Sequence, residues 1–478
     1  MSMSYANDAR WVQIVKFARW ALRQMWCQIP IAMQQTEFTK PVSRVPYWLA
    51  SGNPWANYPW AIKPNADLPS RVHTVTIGCG LGGSALAYHW ARRAKADQKM
   101  LILDMNDPAS GSGGRNEGLV VMGRYYHLVC KTVRPYIQQV RSDLNSSEQE
   151  SIVRQFAAAY ASACYRNADL IEQTILHEGF DCDYAREGWV QARDGQEQQQ
   201  LAESVQMALD SGFTDWTSIE PDEVLHRTGM TVRHNAGFSL AAASFHPAKW
   251  CWSLLAYAID SQKVDLFTRT KVTQVEDAGE TYLVHTLRGP VRADHVVVAT
   301  ESYTPLLYPQ FHDLIRPIQT QAATGDGGPL QMKPHVGIST SSGFFGRHHG
   351  KTMVGSDATR VPDHEAGRIQ PSRFLTKYVC AEMNNHFGPS DYRITNEWSG
   401  TVSFTPDEYP IVGAFDAKCQ YILGGMAGSG TAVSFNGGRC LVNRILGLTD
   451  EPDDYPPQCF APSRLLDPHN HPWPDPST

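Results

Sequence analysis

RVHTVTIGCGLGGSALAYHWARRA (71–94) decides the fold. An apolar, β-branched run, Val72 to Ile77, ends on glycines spaced G-x-G-x-x-G at Gly78, Gly80 and Gly83, and helix-forming residues follow at once. A second apolar run, KMLILDM (99–105), comes next. Strand, glycine turn, helix and strand make one βαβ unit. Gly78 permits the tight turn, Gly80 lets backbone approach a pyrophosphate, and Gly83 lets the helix pack on the strand. Leu81 and Gly82 complete the turn, and the helix start offers N–H groups and the positive end of its dipole to phosphate. Asp104, with Met105 beside it at the end of the second strand, is the acid expected to accept hydrogen bonds from ribose hydroxyls.

A second glycine-rich stretch, GSGGRNEG (111–118), follows closely. Two such loops in one short region imply that backbone approaches something bulky twice, as it would around a dinucleotide gripped at both ends. The expected cofactor residues are therefore Gly111, Ser112, Gly113, Gly114, Arg115, Asn116, Glu117 and Gly118 besides the first loop. Near the C-terminus, Gly425 and the turn Gly428-Ser429-Gly430-Thr431 open a last helix whose positive end can stabilise negative charge. GxGxxG by itself does not separate NAD(P) from FAD. GRHHGKT (346–352) has one residue too few between its glycines for a phosphate loop and reads as a turn.

The second loop resembles the GASGRNGG loop of the D-amino-acid-oxidase-like flavoproteins, which include glycine, sarcosine and glutamylputrescine oxidases. PYWLASGNP (46–54), SFHPAKWCWSLLAYA (244–258), TKVTQVE (270–276), ADHVVVATESYTPLL (293–307), IRPIQTQAATGD (315–326), WSGTVSFTPDEYPIVGAF (398–415), YILGGMAGSGTAVSFNGG (421–438) and FAPSR (460–464) extend the resemblance over most of the chain. It implies FAD as cofactor, with the backbone of Val272 at adenine and Ala299 and Thr300 approaching the cofactor. The expected fold class is α/β (α+β), with a Rossmann-like FAD-binding domain interleaved with a substrate domain of β-sheet plus helices. The FAD-binding domain is expected over 71–145, 235–310 and 400–450, and the substrate domain over 146–234 and 311–399. Residues 1–70 read as a helix and extended lead-in, and 451–478 as a Pro-rich, surface-hugging or loose tail.

Totals fit this reading. A chain of 478 residues is too long for one core. A net charge of −6 without a basic block argues against nucleic acid. The ten cysteines, scattered without CxxC pairs, suit a reducing, cytoplasmic compartment. Residues 11–29 place Gln13, Lys16, Arg19, Arg23 and Gln24 opposite Ile14, Phe17, Trp20, Ala21 and Met25 at helical spacing, a pattern for contact with a second subunit, with its own protein or with a membrane surface. His348, His349, His469 and His471 read as solvent-facing, and no metal is expected.

The resemblance implies oxidation of a C–N bond of a small-molecule amine, with O2 or another electron acceptor completing the cycle. Three departures narrow it. Val402 stands where glycine oxidases carry a carboxylate-binding Arg, favouring an amine without an adjacent carboxylate over an amino acid or N-methyl amino acid. Gly400 stands where monomeric sarcosine oxidases attach flavin through Cys, and 111–118 holds no His, so FAD is expected to be non-covalent. Met353 stands where those enzymes place an oxygen-activating Lys, with Lys351 displaced by two, so oxidase and dehydrogenase both stay open. The substrate contacts expected are Arg347, Tyr303 and Trp398. Glu117 replaces the usual Gly of the loop and faces either a cationic amine or solvent. An NAD(P)-dependent dehydrogenase and a non-catalytic flavin-bound scaffold are the remaining alternatives.

Overall fold

The computed structural model describes residues 10–23, 25–26, 29–33, 36–122, 126–341, 343–356 and 370–477. Two sheets organise it. In the first, parallel strands Val264–Phe267, Met100–Leu103, Arg71–Ile77, Gly289–Val298 and Gln420–Gly424 lie side by side in that order. Met100–Leu103 is buried throughout, as expected of a parallel strand covered on both faces. Helices Leu81–Arg93, Pro247–Asp260 and Gly430–Leu446 pack against one another beside it. The start of Gly289–Val298 also pairs antiparallel with Tyr282–Thr286, which joins Val272–Asp277.

The second sheet runs, in order, through Glu37–Ser43, Arg393–Phe404, Arg316–Asp326, Lys351–Ser356, Phe344–His348, Gly337–Ser339, Trp189–Gln191, Ala236–Ser239 and Thr217–Ile219. Helix Arg373–Phe387 covers one face, where Val354, Phe345, Val379 and Met383 form a core. Trp48, Met353, Trp398 and Ala322 form another core toward the first sheet. GRHHGKT is a hairpin turn, His349 (φ 45°) and Gly350 (φ 73°) reversing the chain between two strands.

Several segments sit differently from their sequence reading. Glu37–Ser43, within the stretch read as lead-in, is an edge strand parallel to Arg393–Phe404. Pro41 hid it, since Pro is confined to sheet edges. Ala236–Ser239 and the whole of Arg393–Phe404 belong to the second sheet. Helix Ser146–Glu178, read as part of the second lobe, packs on Gly430–Leu446 and Tyr126–Val140, where Phe156, Tyr160 and Cys164 join the core of the first unit. Helix Arg10–Arg23 forms, leaving Trp11, Ile14 and Leu22 exposed; Gln24 and residues 27–28 of the amphipathic reading lie outside the described residues. Among the described residues no helix is long and apolar enough to cross a membrane.

The Pro-rich tail is packed rather than loose. Tyr455, Phe460 and Arg464 are wholly buried. Arg464 donates from Nε to Asp407 Oδ2 at 2.6 Å and from Nη2 to Oδ1 at 3.2 Å and Tyr409 O at 2.9 Å, with Nη1 on Phe460 O. Thr405 Oγ1 and the Tyr409 N–H satisfy the remaining capacity of Asp407. Removing one member of such a pair leaves the other charge buried and unmatched. Arg464→Met is therefore expected to lower unfolding free energy by about 3–5 kcal/mol, measured by urea titration of the FAD-loaded protein; a loss under about 1 kcal/mol would contradict this role.

Candidate active site at the two glycine loops

The first loop is a set of close backbone approaches. At Gly78 (φ 100°) a Cβ would stand 2.5 Å from Ala299 O, and at Gly83 it would stand 2.0 Å from Gly78 O. No side chain fits either place. Gly80 is different, because a Cβ there would meet nothing within 4 Å, leaving room for a ligand over the start of helix Leu81–Arg93. Asp104 accepts the Cys79 and Asn106 N–H groups at 2.7 Å each. Burial raises its pKa to about 6 against these bonds. Met105 beside it is partly exposed.

The second loop lies directly on the first. A Cβ on Gly113 would be 3.2 Å from Leu81 N, and one on Gly430 would be 3.5 Å from Leu81 Cδ1. A Cβ on Gly82 would be 3.3 Å from Leu423 and 3.7 Å from Ala299. Gly78–Gly83, Gly111–Gly114, Ala299 and the start of the last helix thus converge on one place. Gly111 and Gly428 resemble Gly80 in having open space where a Cβ would go. Asn116 knits its own loop: Nδ2 donates to Ser112 O and Gly113 O, and Oδ1 accepts the Gly118 N–H. Trp48 Nε1 donates to Asn116 O at 2.7 Å, and Gly118 (φ 74°) leaves no room for a Cβ between Trp48 and Phe245 O.

Arg115 fastens this loop to the second sheet. Its Nε donates to Ser110 O and its Nη1 to Ser399 O, while Trp398 Nε1 donates to Arg115 O at 2.9 Å. A Cβ on Gly400 would stand 3.3 Å from Arg115 Cβ. The Glu117 carboxylate lies against the sheet, its Oε1 2.6 Å from where a Gly355 Cβ would be. Val272 is buried at the start of its strand. Thr300 Oγ1 shares a hydrogen bond with Thr304 Oγ1 at 2.9 Å. Ser429 donates its N–H to Met426 O, and Thr431 O accepts Asn167 Nδ2.

Side-chain alternation sorts which strand residues share the face that meets the second loop. Trp398, Gly400 and Val402 share the face of Arg393–Phe404 that meets Arg115. Met353 and Gly355 share the corresponding face of Lys351–Ser356, and Gly346 and His348 continue it across the register pairs Gly346–Met353 and His348–Lys351. A Cβ on Gly346 would meet nothing within 4 Å, so space opens there. Arg347 lies on the opposite face with Phe345 and Val354 and donates from Nη1 to Pro329 O. It is not brought together with Tyr303 and Trp398. Trp398 is fully buried behind the loop. Half-buried Tyr303 lies within electrostatic reach of Arg115, and burial raises its pKa. Of the four histidines read as solvent-facing, His348 and His471 are buried; His471 is held by Ser463 Oγ and Gln458 O.

Sequence reasoning missed Glu301. At φ 50° it turns the chain just beyond the strand Gly289–Val298, and its carboxylate accepts Ser403 Oγ at 2.5 Å and the Ser403 and Met426 N–H groups. It ties the second sheet to the turn that opens the last helix. A non-glycine residue in left-handed backbone was the available signal only once the turn was known.

A family model described as FAD dependent oxidoreductase (DAO) matches residues 73–444, and the chain belongs to that family of FAD-dependent oxidoreductases. Among curated proteins it is similar to a probable oxidoreductase OrdL of Rhizobium meliloti (strain 1021), 22% identical over 251 residues that make up 51% of this chain and 56% of that relative; the match thus spans little more than half of that protein. Solved structures with the same fold include an L-amino acid deaminase from Proteus vulgaris, carrying a deletion of its specific insertion sequence (17% identical, 82% of this chain and 94% of that one, TM-score 0.63), and glycine oxidase from Geobacillus kaustophilus (16%, 84% and 99%, TM-score 0.62). The glycine cradle, the half-buried Asp104 carboxylate and the open positions at Gly80, Gly111 and Gly428 fit FAD.

Because its pKa in the fold lies above that of an unfolded carboxylate, Asp104 costs the apoprotein stability as pH rises from about 4 through about 6. Donors on a ribose bound beside it would favour the ionised form. FAD affinity of the apoprotein is therefore expected to fall as pH drops through about 6. In Asp104→Asn this pH dependence should vanish and affinity should drop about tenfold or more, read by fluorescence titration. An unchanged affinity profile would contradict the assignment.

Proposed function

We propose that the protein oxidises the C–N bond of a primary or secondary amine that lacks an α-carboxylate. The observation that carries this reading is Val402. It lies two residues beyond Gly400 on the face that meets Arg115, with Ile318 as its register partner, where an amino acid substrate would need a cation. Arg347, the other guanidinium considered for a carboxylate, is turned to the far face of its sheet.

FAD, when bound, supplies the hydride acceptor, and water hydrolyses the resulting imine to a carbonyl product and an amine or ammonia. The protein's contribution is to orient and desolvate the amine. Val402 offers a part-exposed apolar side chain beside the loop, with buried Trp398 and Met353 packed behind it on the same face, and the loop's Asn116 hydrogen bonds hold it rigid. Glu117, set against Gly355, presents a carboxylate that attracts a cationic amine. Residues Gly78–Gly83, Asp104, Gly111–Gly118, Val272, Ala299, Thr300, Gly425 and Gly428–Thr431 would hold the cofactor. With Gly400 packed on Arg115 and no His in the loop, the flavin is held without a covalent bond.

Amines and α-amino acids mixed anaerobically with the FAD-loaded protein test the reading through loss of flavin absorbance near ~450 nm. Amines without an α-carboxylate should bleach the flavin fastest, and Val402→Arg should shift the preference toward α-amino acids. Faster bleaching of the native protein by α-amino acids, or by no amine at all, would contradict it. Glu117→Gln is expected to raise amine KM about tenfold, the worth of one hydrogen bond to a charged group, with little change in kcat. An unchanged KM would remove Glu117 from amine binding.

A further inference from the structure

On the same side of the second sheet, three residues from distant parts of the chain converge. Asp183 lies in the connection after helix Ser146–Glu178, His348 ends the strand Phe344–His348, and His349 is the first residue of the hairpin turn. One potential ligand atom from each lies within 4.8 Å of the other two. His349 Nε2 is 3.0 Å from Asp183 Oδ1, and the rings of His348 and His349 are 4.6 Å apart. Adjacent strand residues ordinarily point to opposite faces; the left-handed turn at His349 (φ 45°) brings its ring back beside its neighbour.

The decisive feature is His348. It is 5% exposed, and both of its ring nitrogens are buried without a hydrogen-bond partner among the described residues. Buried polar atoms are almost always satisfied, and an imidazole must present both a donor and an acceptor. A simple His349–Asp183 ion pair explains two of the three residues and leaves His348 unexplained. We propose that Asp183, His348 and His349 form a binding site for a divalent transition cation of the zinc class.

The donor set, two imidazoles and one carboxylate, is one that such ions take with a further position open to water. Asp183 keeps a partner for its second oxygen: Lys249 Nζ lies 3.1 Å from Oδ2 and 3.5 Å from Asp181 Oδ2. Such outer partners orient a metal-binding carboxylate, and the two aspartates against one lysine leave the surroundings net negative. The cation would clip the hairpin Phe344–Ser356 to the connection after the long helix. The site is not part of the flavin cradle: the ring of Trp48 stands between them, 5.0 Å from the His348 ring and hydrogen-bonded to Asn116 O.

Tagless FAD-loaded protein, stripped with a chelator and titrated with Zn2+ in a calorimeter, tests this. The native protein should bind a single equivalent. His348→Ala, Asp183→Asn and His349→Ala should each weaken binding about tenfold or more, while His226→Ala, at an exposed histidine, should not. FAD content and thermal midpoint without metal establish that each variant is folded, and exposed His349 keeps the test available if His348→Ala is not. No binding by the native protein, or native affinity in the Asp183 and His349 variants, would overturn the proposal.

Discussion

The structure depends on how closely two backbones approach at Gly78. That residue turns at φ 100° with Ala299 O where a Cβ would be, and Gly83 takes its place against Gly78 O. The contact fixes the end of one parallel strand against the end of its neighbour and starts helix Leu81–Arg93 between them. It also sets a floor on which Gly113 rests. Any side chain in this stack would separate the strand ends, tilt the helix start and lift the second loop. Glycine here serves close packing in one place and leaves room for a ligand in another, as at Gly80 and Gly111.

The second loop is where the two sheets become one site. It is held from below by Gly113 on Leu81, within itself by Asn116, and from above by Trp398 and the Ser399 carbonyl through Arg115. Glu301 makes a parallel tie, joining Ser403 of the second sheet to the turn that opens the last helix. Two separate hydrogen-bonded links therefore hold the strand Arg393–Phe404 to the glycine loops and the turn of the last helix. Rigid support of this kind suits hydride transfer, in which the protein works by placing reactants rather than by moving many protons.

The glycine turn, the acid at Asp104 and the second loop were legible in the sequence because each is local: a few residues, a fixed spacing and one physical reason. What escaped was non-local or disguised. Pro41 masked an edge strand, and the helix Ser146–Glu178 shows its partner only through long-range packing. Arg347 was expected among the substrate contacts, although nothing in FFGRHHG states which face meets the second glycine loop. Register settles that, and it gives the inner face to Gly346 and His348. Asp183 and His348 come from distant parts of the chain, and the burial of Arg464 in a proline-rich tail becomes evident only beside Asp407.

A cofactor lying across the junction of the two glycine loops, where Gly113 meets Leu81 and Gly80, would engage both of them at once. Equilibrium binding of FAD, FMN and ADP to the apoprotein tests that most directly. Two linked half-sites bind the joined ligand far more tightly than either part, because the second contact is made intramolecularly. FAD should therefore bind at least about a hundredfold more tightly than FMN or ADP alone. Binding of either fragment as tight as that of FAD would contradict a cofactor held by both glycine loops.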